Sequence, residues 1–221
     1  MGLINNKFDH VYVINLPGEG EQKIRREAIA ALFSKLEIDY ELYSAINGSE
    51  LGIDIPKEPG KRWNTGAYGL AITTMNILTD AKLKGYKNIL IFEDDVEAHD
   101  LYDVISEELL QDIPKTYDLL FLGYTLKSPG SPVMVEENGF PKCFPFLKTM
   151  QSGYSCHAYA VNAHMYDFYK HLISSLDQPI DIHTNTIMSR QNSFYTIQKL
   201  FHQKSGYSFI EGGNYDTSFT K

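Results

Sequence analysis

Residues 88–92 (NILIF) form a continuous apolar run, and this run constrains the fold more than any other segment. A strand that is apolar at every position is buried on both faces, which is typical of the central strands of a parallel sheet. Just before it, residues 67–81 place apolar side chains at helical spacing, and Gly85 is suited to end that helix. A helix that leads directly into a buried strand is the repeating unit of an α/β fold.

The same alternation of strand and helix recurs along the chain. The patterns predict strands over 10–16, 39–46, 117–122 and 155–161, and helices over 21–36 and 163–176. Residues 128–146 are rich in Pro and Gly and predict an irregular hairpin insertion, whereas the tail after Gln191 shows no clear periodicity. We therefore expect a single α/β domain over 1–221, with a mostly parallel central sheet and helices on both faces.

Composition excludes several classes of protein. Apolar residues make up 43% of the 221 positions, which indicates a globular domain with a real core. The net charge of -8 opposes a polyanion, so nucleic acid is not an expected partner. Cys143 and Cys156 are too few for a disulfide framework. The first eight residues carry no export signal, and no window approaches the roughly 20 apolar residues of a membrane span, so we expect a cytoplasmic protein.

Three acidic residues, Glu93, Asp94 and Asp95, directly follow the apolar run. In α/β sheets, ligands bind beyond the carboxyl ends of the strands, which is where these acids lie. Residues two apart in an extended chain point the same way, so Glu93 and Asp95 are expected to share one face. Two carboxylates on one face suit Mn²⁺ or Mg²⁺, which completes its ligand shell with phosphate oxygens.

Other interpretations of the acidic residues stay open on the sequence alone. They could form a solvated loop that caps a helix beginning near Asp100, or belong to a two-carboxylate hydrolase. The sequence has no GxxxxGK[ST] motif and no GxGxxG after a strand, which disfavours P-loop nucleotidases and dinucleotide-binding dehydrogenases. It also lacks the GxSxG motif of a nucleophile elbow.

Several segments, taken in order, resemble glycosyltransferase family 25, the lipooligosaccharide-biosynthesis type. They are VYVINLPGEGEQKIRRE, TGAYGLAITTMNILTDAKLKGYKNILIFEDDV, YDLLFLG, SGYSCHAYAVNAHMYDFY, PIDIH and QKSGYSFI. The resemblance implies a GT-A (Rossmann-like) fold and a UDP-sugar donor, with a hydroxyl of a glycan as acceptor. It also implies a divalent cation at the acidic motif, and it leaves room for peripheral membrane association through the acceptor. It does not name the sugar, the acceptor, the linkage or the oligomeric state.

The resemblance also implies roles for individual residues at the donor site. Glu93 and Asp95 resemble the metal and diphosphate motif, with Asp94 beside them. Asn15, at the end of the first predicted strand, and Arg25 or Arg26 match the region that contacts the nucleotide. For either arginine alone, a solvated helix face is the competing interpretation.

Two further residues are implied by the same resemblance. Asp181 matches the later acidic position and is expected to be the general base, although an Asp that caps the next helix would look the same. His202 is a candidate third metal ligand by analogy with GT-A enzymes, and a structural histidine is the competing interpretation. The sequence departs from the family at Thr73-Thr74, where the family usually has a Ser-His pair.

With these residues, the resemblance implies a metal-dependent transferase that moves a hexose, galactose or glucose, from a UDP-sugar to a glycan or glycoconjugate. Inversion would follow from a single displacement in which a carboxylate acts as the base. Thr73-Thr74 motivates a first alternative, an inactive GT-A-fold protein that binds glycans or acts as a scaffold. A metal-dependent phosphoesterase is the second, since it needs only the acidic strand end and a water molecule.

Overall fold

The computed structural model describes residues 2–55, 63–111, 113–128, 132–137, 140–149, 152–190, 192–208 and 213–216. The strands in these ranges are β1 (His10–Asn15), β2 (Glu41–Ser44), β3 (Asn88–Glu93), β4 (Val96–Ala98), β5 (Leu119–Ser128), β6 (Pro132–Glu137), β7 (Phe140–Thr149), β8 (Ser152–Asn162), β9 (Phe194–Thr196), β10 (Phe201–Gln203), β11 (Gly206–Ser208) and β12 (Gly213–Tyr215). The helices are α1 (Glu21–Lys35), α2 (Thr65–Lys84), α3 (Tyr102–Gln111), α4 (Tyr166–Ile173) and α5 (Ile180–Met188), with 3₁₀ turns at Gly48–Leu51 and Ala163–Met165.

Eight strands form one sheet in the order β2-β1-β3-β8-β5-β9-β7-β6. β1 pairs in parallel with β2 and β3, and β5 pairs in parallel with β9. β8 runs antiparallel between β3 and β5, and β7 runs antiparallel to β9 and β6. Six of the eight strands, all except β7 and β8, therefore run in the same direction, which confirms the predicted mostly parallel sheet. β4 pairs with β10 and β11 with β12 in two small separate sheets.

Helices cover both faces of the sheet, as predicted. On one face, the core contains Ile29 and Phe33 of α1 and Leu109 of α3. On the other, it contains Ile77 of α2 and Tyr169 of α4, together with side chains of α5. Residues 89–92 of β3 are fully buried because β1 and β8 flank the strand and helices pack above and below it. None of the described helices combines the length and apolar character that crossing a membrane requires.

The predicted elements differ from the observed ones mainly at their ends, whereas α3, α5, β4 and β9–β12 were not among the elements that the periodicity predicted. The predicted strand over 39–46 is shorter, because after Ser44 the amide of Ile46 bonds to the hydroxyl of Thr73 instead of to a strand. The insertion predicted over 128–146 is a hairpin, β6 and β7, that extends the main sheet. The tail after residue 191 contributes β9 to this sheet, although three residues are too few to show a period.

Two glycines allow the chain after β2 to pack directly on α2. A Cβ atom at Gly48 would lie 1.7 Å from the carbonyl oxygen of Thr65, and one at Gly69 would lie 2.3 Å from that of Ile46. Both distances are far below van der Waals contact, and the atoms that would have to move belong to the backbone. Only glycine therefore permits this contact between the 3₁₀ turn and the first turns of α2.

We expect Gly69→Ala to lower the free energy of unfolding by about 1–3 kcal/mol, the usual effect of overpacking a tight contact. Gly206→Ala is the control, because a Cβ atom there meets nothing within 4 Å and its expected effect is within about 0.5 kcal/mol. Urea denaturation of both variants measures the difference. Equal stability of the two would contradict the close contact.

Candidate functional site

A cleft of about 520 Å³ lies at the carboxyl ends of β1, β2 and β3. Its walls come from the ends of these three strands, from α1, from the beginning of α2 and from the segment 203–208. The lining side chains include Ile14, Leu16, Gln22, Arg25, Asn47, Ser49, Asn64, Thr65, Leu70, Glu93, Asp94, Asp95, Gln203 and Tyr207. This is the edge at which α/β sheets bind ligands, because the loops of neighbouring parallel strands diverge there.

The acidic turn, Glu93-Asp94-Asp95, lies on the wall of this cleft. β3 ends at Glu93, Asp94 and Asp95 form a turn, and β4 begins at Val96. The prediction that Glu93 and Asp95 share one face assumed an extended chain, but the chain is extended only as far as Glu93. Instead, Asp94 and Asp95 share a partner: Nη1 of Arg25 lies 2.9 Å from Oδ1 of Asp94 and 3.7 Å from Oδ2 of Asp95.

The structure brings Asn15 and Arg25 to Asp94, and Arg26 to Asn15. Asn15 donates a hydrogen bond from Nδ2 to Oδ2 of Asp94 at 2.5 Å, and Arg26 donates from Nη1 to Oδ1 of Asn15 at 3.3 Å. This contact follows from the sheet, because β1 lies next to β3 in parallel and their carboxyl ends are adjacent. Both oxygens of Asp94 are thus bonded, one to Asn15 and one to Arg25.

Asp95 is held from the other side by β10. Gln203 donates from Nε2 to Oδ2 of Asp95 at 3.2 Å, and the amide of Lys204 donates to the Asp95 carbonyl oxygen at 2.6 Å. The remaining oxygen, Oδ1, is buried without a hydrogen-bond partner among the described residues. Sequence reasoning assigned no site role to Gln203, and the available signal was its position at the start of the terminal segment QKSGYSFI.

Burial and like charges disfavour the ionised forms of this turn. Burial raises the pKa of Asp95 to about 6, and the charge of Asp94 adds to the rise, while Arg25 and Gln203 oppose it. The pKa of Glu93 is raised well above its usual range, first by burial and then by the charges of Asp95, Asp94 and Asp181. A ligand that carries positive charge would relieve both effects.

Asp181 lies in the first turn of α5, directly after Ile180. Its charge raises the pKa of Glu93 and also that of Cys156, so it shares their electrostatic environment. The N-cap residue of α5 is Pro179, and Asp181 follows it by two positions in the first turn. The role of Asp181 as general base stays a prediction.

His202 is not part of the acidic turn. It lies on β10 opposite Glu97, and its ring packs against His99 with 5.4 Å between centroids. Neighbouring residues of a strand point to opposite faces, so where Gln203 reaches Asp95, His202 faces away. Its role as a metal ligand stays a prediction.

The residues of the turn fit a divalent cation that takes part of its shell from a substrate. Mg²⁺ and Mn²⁺ are commonly bound by one or two carboxylates plus phosphates and water, and Glu93 and the unpartnered Oδ1 of Asp95 supply that number. A metal site made of protein ligands alone is not found among the described residues, because they contain no group of three His, Cys, Asp or Glu side chains that could hold an ion.

Thr73 and Thr74, which stand at the family's Ser-His position, have structural contacts. The Thr73 hydroxyl accepts a hydrogen bond from the amide of Ile46 at 2.9 Å and donates to the carbonyl of Gly69 at 2.8 Å. The Thr74 hydroxyl donates to the carbonyl of Leu70. Thr73 therefore fixes the segment after β2 that forms one wall of the cleft.

The sequence is similar to several curated proteins of known family. No family model matches the sequence. A probable inactive glycosyltransferase 25 family member 3 of Rattus norvegicus is 27% identical over 145 residues, which cover 58% of this chain and 25% of that protein. Procollagen galactosyltransferase 1-A of Xenopus laevis is 30% identical over 132 residues, 52% of this chain and 21% of that protein. A glycosyltransferase 25 family member of Drosophila melanogaster is 27% identical over 143 residues, 58% of this chain and 23% of that protein.

The chain is similar to glycosyltransferase family 25. The resemblance noted from its motifs is thereby confirmed, while the matched region spans about a quarter of the length of these curated relatives. Among solved structures, a glycosyltransferase involved in the glycosylation of the major capsid of PBCV-1 aligns with a TM-score of 0.46 at 12% identity, covering 88% of this chain and 93% of that one. The protein A197 from STIV aligns with a TM-score of 0.42 at 11% identity, covering 84% and 80%.

The raised pKa of Asp95 leads to a test by pH. A carboxyl with a raised folded-state pKa contributes most stability below its unfolded pKa of 3.8, and that contribution is lost as pH rises through about 6. Asn at this position does not titrate, so the stability of Asp95→Asn relative to the wild type should increase by roughly 1–3 kcal/mol between pH 4 and pH 7.

Urea denaturation at several pH values between 4 and 7.5 measures this difference. Glu27→Gln, which removes one negative charge from the exposed face of α1, corrects for the change in net charge. A relative stability of Asp95→Asn that falls with pH would show that Asp95 is stabilised as a carboxylate, contrary to the argument from burial.

Proposed function

We propose that this chain is a glycosyltransferase. It transfers a hexose, galactose or glucose, from a UDP-sugar to a hydroxyl of a glycan or glycoconjugate. The observation that carries the proposal is the acidic turn at the end of β3, in the cleft formed by β1, β2 and β3, in a chain similar to family 25. The name of the Xenopus laevis relative, a procollagen galactosyltransferase, supports a galactose donor among the hexoses.

The cleft combines groups that suit a nucleoside diphosphate. Asn64, the N-cap of α2, and Thr65, its first residue, line the cleft, and a helix N-terminus attracts anions. Arg25 adds a guanidinium, the side chain best suited to bind phosphate oxygens through two hydrogen bonds. Glu93 and Asp95 would hold Mn²⁺ or Mg²⁺, which when bound neutralises charge on the departing diphosphate.

The remaining step requires a base. We assign it to Asp181, whose carboxylate takes the proton of the acceptor hydroxyl while the oxygen attacks the anomeric carbon. The bond between that carbon and the diphosphate oxygen breaks, and UDP leaves with the bonding electrons. A single displacement of this kind inverts the configuration at the anomeric carbon. Asn15 and Arg26 act indirectly, because Asn15 bonds to Asp94 and Arg26 bonds to Asn15, and together they position the turn.

A second candidate function is binding without turnover. It is favoured by the names of several curated relatives: those of human and mouse are named inactive family members, and that of rat is named a probable inactive one. A protein of this kind would keep the cleft and bind nucleotide or glycan without releasing UDP. The Thr73-Thr74 departure is compatible with both candidates, since Thr73 stabilises the cleft wall in either case.

One assay distinguishes a transferase from a binding protein and from the phosphoesterase that the sequence left open. UDP-galactose and UDP-glucose are supplied with Mn²⁺, with and without a panel of hydroxyl-bearing glycans, and the nucleotide products are resolved by chromatography. A transferase releases UDP and elongates the acceptor. A phosphoesterase releases UMP and a sugar phosphate, and a binding protein shows nucleotide affinity without either product. The proposal fails if no acceptor in a broad panel stimulates UDP release from either donor.

Asp181→Asn should reduce transfer by a factor of roughly 10² or more, which is the usual effect of losing a general base. Donor and Mn²⁺ affinities, measured by calorimetry, should stay close to those of the wild type. Asp177→Asn is the matched control, because Asp177 lies just before α5 and is 64% exposed. A loss of donor affinity as large as the loss of rate would assign Asp181 to donor binding, and unchanged transfer would remove it from the mechanism.

A further inference from the structure

Arg25 is surrounded by more anionic groups than one surface ion pair requires. Its guanidinium lies 2.9 Å from Asp94, 3.7 Å from Asp95 and 3.5 Å from Glu21, and it also donates to the carbonyl oxygen of Tyr207. The side chain is only 12% exposed, so these charges interact with little screening by water. Arg25 thus offsets part of the negative charge of the acidic turn.

The guanidinium of Arg25 lies at the same carboxylate that is proposed to bind the metal. Asp95 is the carboxylate that would bind Mn²⁺ or Mg²⁺ in the proposed function, and Nη1 of Arg25 lies 3.7 Å from its Oδ2. A divalent cation on the other oxygen of the same carboxylate would lie within a few ångströms of the guanidinium. Two cations at that separation repel each other strongly in a partly buried site.

We propose that Arg25 is an internal counter-ion that competes with the divalent cation for the acidic turn. In the unliganded protein, Arg25 partly compensates the charges of Asp94 and Asp95. A metal that binds the turn is therefore repelled by the positive charge of Arg25, which weakens its binding. This inference rests on the metal site of the proposed function. A nucleoside diphosphate offers the guanidinium a new anionic partner, so nucleotide and cation should favour each other's binding.

A purely structural role for Arg25 makes the opposite prediction. If the guanidinium only braces the turn, its removal loosens Asp95 and weakens or leaves unchanged the binding of a metal. If it competes with the metal, its removal strengthens metal binding. The sign of the change in Mn²⁺ affinity therefore distinguishes a counter-ion from a brace.

The test is calorimetric titration of Mn²⁺ alone, without nucleotide, into the full chain. Arg25→Gln should lower the Kd for Mn²⁺ by at least about tenfold, because one positive charge beside the binding oxygen is removed. Lys23→Gln is the matched control: it removes the same charge from the same helix, but Lys23 is 52% exposed and pairs with Glu19. Its Kd should stay within about twofold of the wild type.

Circular dichroism of Arg25→Gln will show whether the variant is folded. A second measurement on the wild type does not depend on that variant. The sequence contains four arginines, so the side-chain Nε–H region of a nitrogen-15 NMR spectrum holds few signals, and Arg25→Lys identifies the one from Arg25. Saturating Mg²⁺, which is diamagnetic, should shift this signal clearly and leave that of Arg190 unchanged.

An unchanged or higher Kd for Mn²⁺ in folded Arg25→Gln overturns the proposal, as does an Arg25 signal that does not respond to Mg²⁺. Absence of Mn²⁺ binding in every variant overturns it together with the metal site. The transferase assay tests the proposed function independently of this one. If Arg25→Gln binds Mn²⁺ more tightly but the wild type transfers no sugar, the counter-ion proposal is supported and the proposed function is refuted.

Discussion

The burial of β3 on both faces is the constraint on which the rest of the structure depends. Residues 89–92 are fully enclosed by β1, by β8 and by the two layers of helices. A strand in this position cannot accommodate charge along its length, so the acidic residues begin only where the sheet edge opens at Glu93. The cleft is the space left beyond that edge, and its acidic wall follows directly from the end of the apolar run.

The acidic turn is held by segments that are distant in sequence. Asn15 comes from β1, Arg25 from α1 and Gln203 from β10, and each bonds to Asp94 or Asp95. Placing three carboxyl groups at a partly buried turn is unfavourable without compensation, which is why the pKa values of Glu93 and Asp95 are raised even beside Arg25. An incompletely compensated set of carboxyls of this kind is the electrostatic preparation that a cation-binding site requires.

One wall of the cleft depends on contacts between α2 and the segment after β2. The hydroxyl of Thr73, at the position where the resemblance implies part of a Ser-His pair, ties α2 to that segment. Gly48 and Gly69 bring the same two segments into backbone contact. These contacts shape the wall of the cleft that the segment after β2 and the beginning of α2 form. The similar proteins include both a galactosyltransferase and members named as inactive.

The sequence by itself determined most strands of the main sheet, the helices α1, α2 and α4, and the location of the acids at the end of β3, because apolar periodicity is a local property of the chain. Through a resemblance, it also implied that Asn15 and Arg25 or Arg26 contact the nucleotide, and that role stays a prediction. Only the tertiary structure decided which oxygen meets which donor. The turn at Asp94 and Asp95 replaced the expected alternation, and the strand register of β10 brought Gln203 instead of His202 to Asp95. Such contacts depend on register and on the packing of remote segments, which no local pattern encodes.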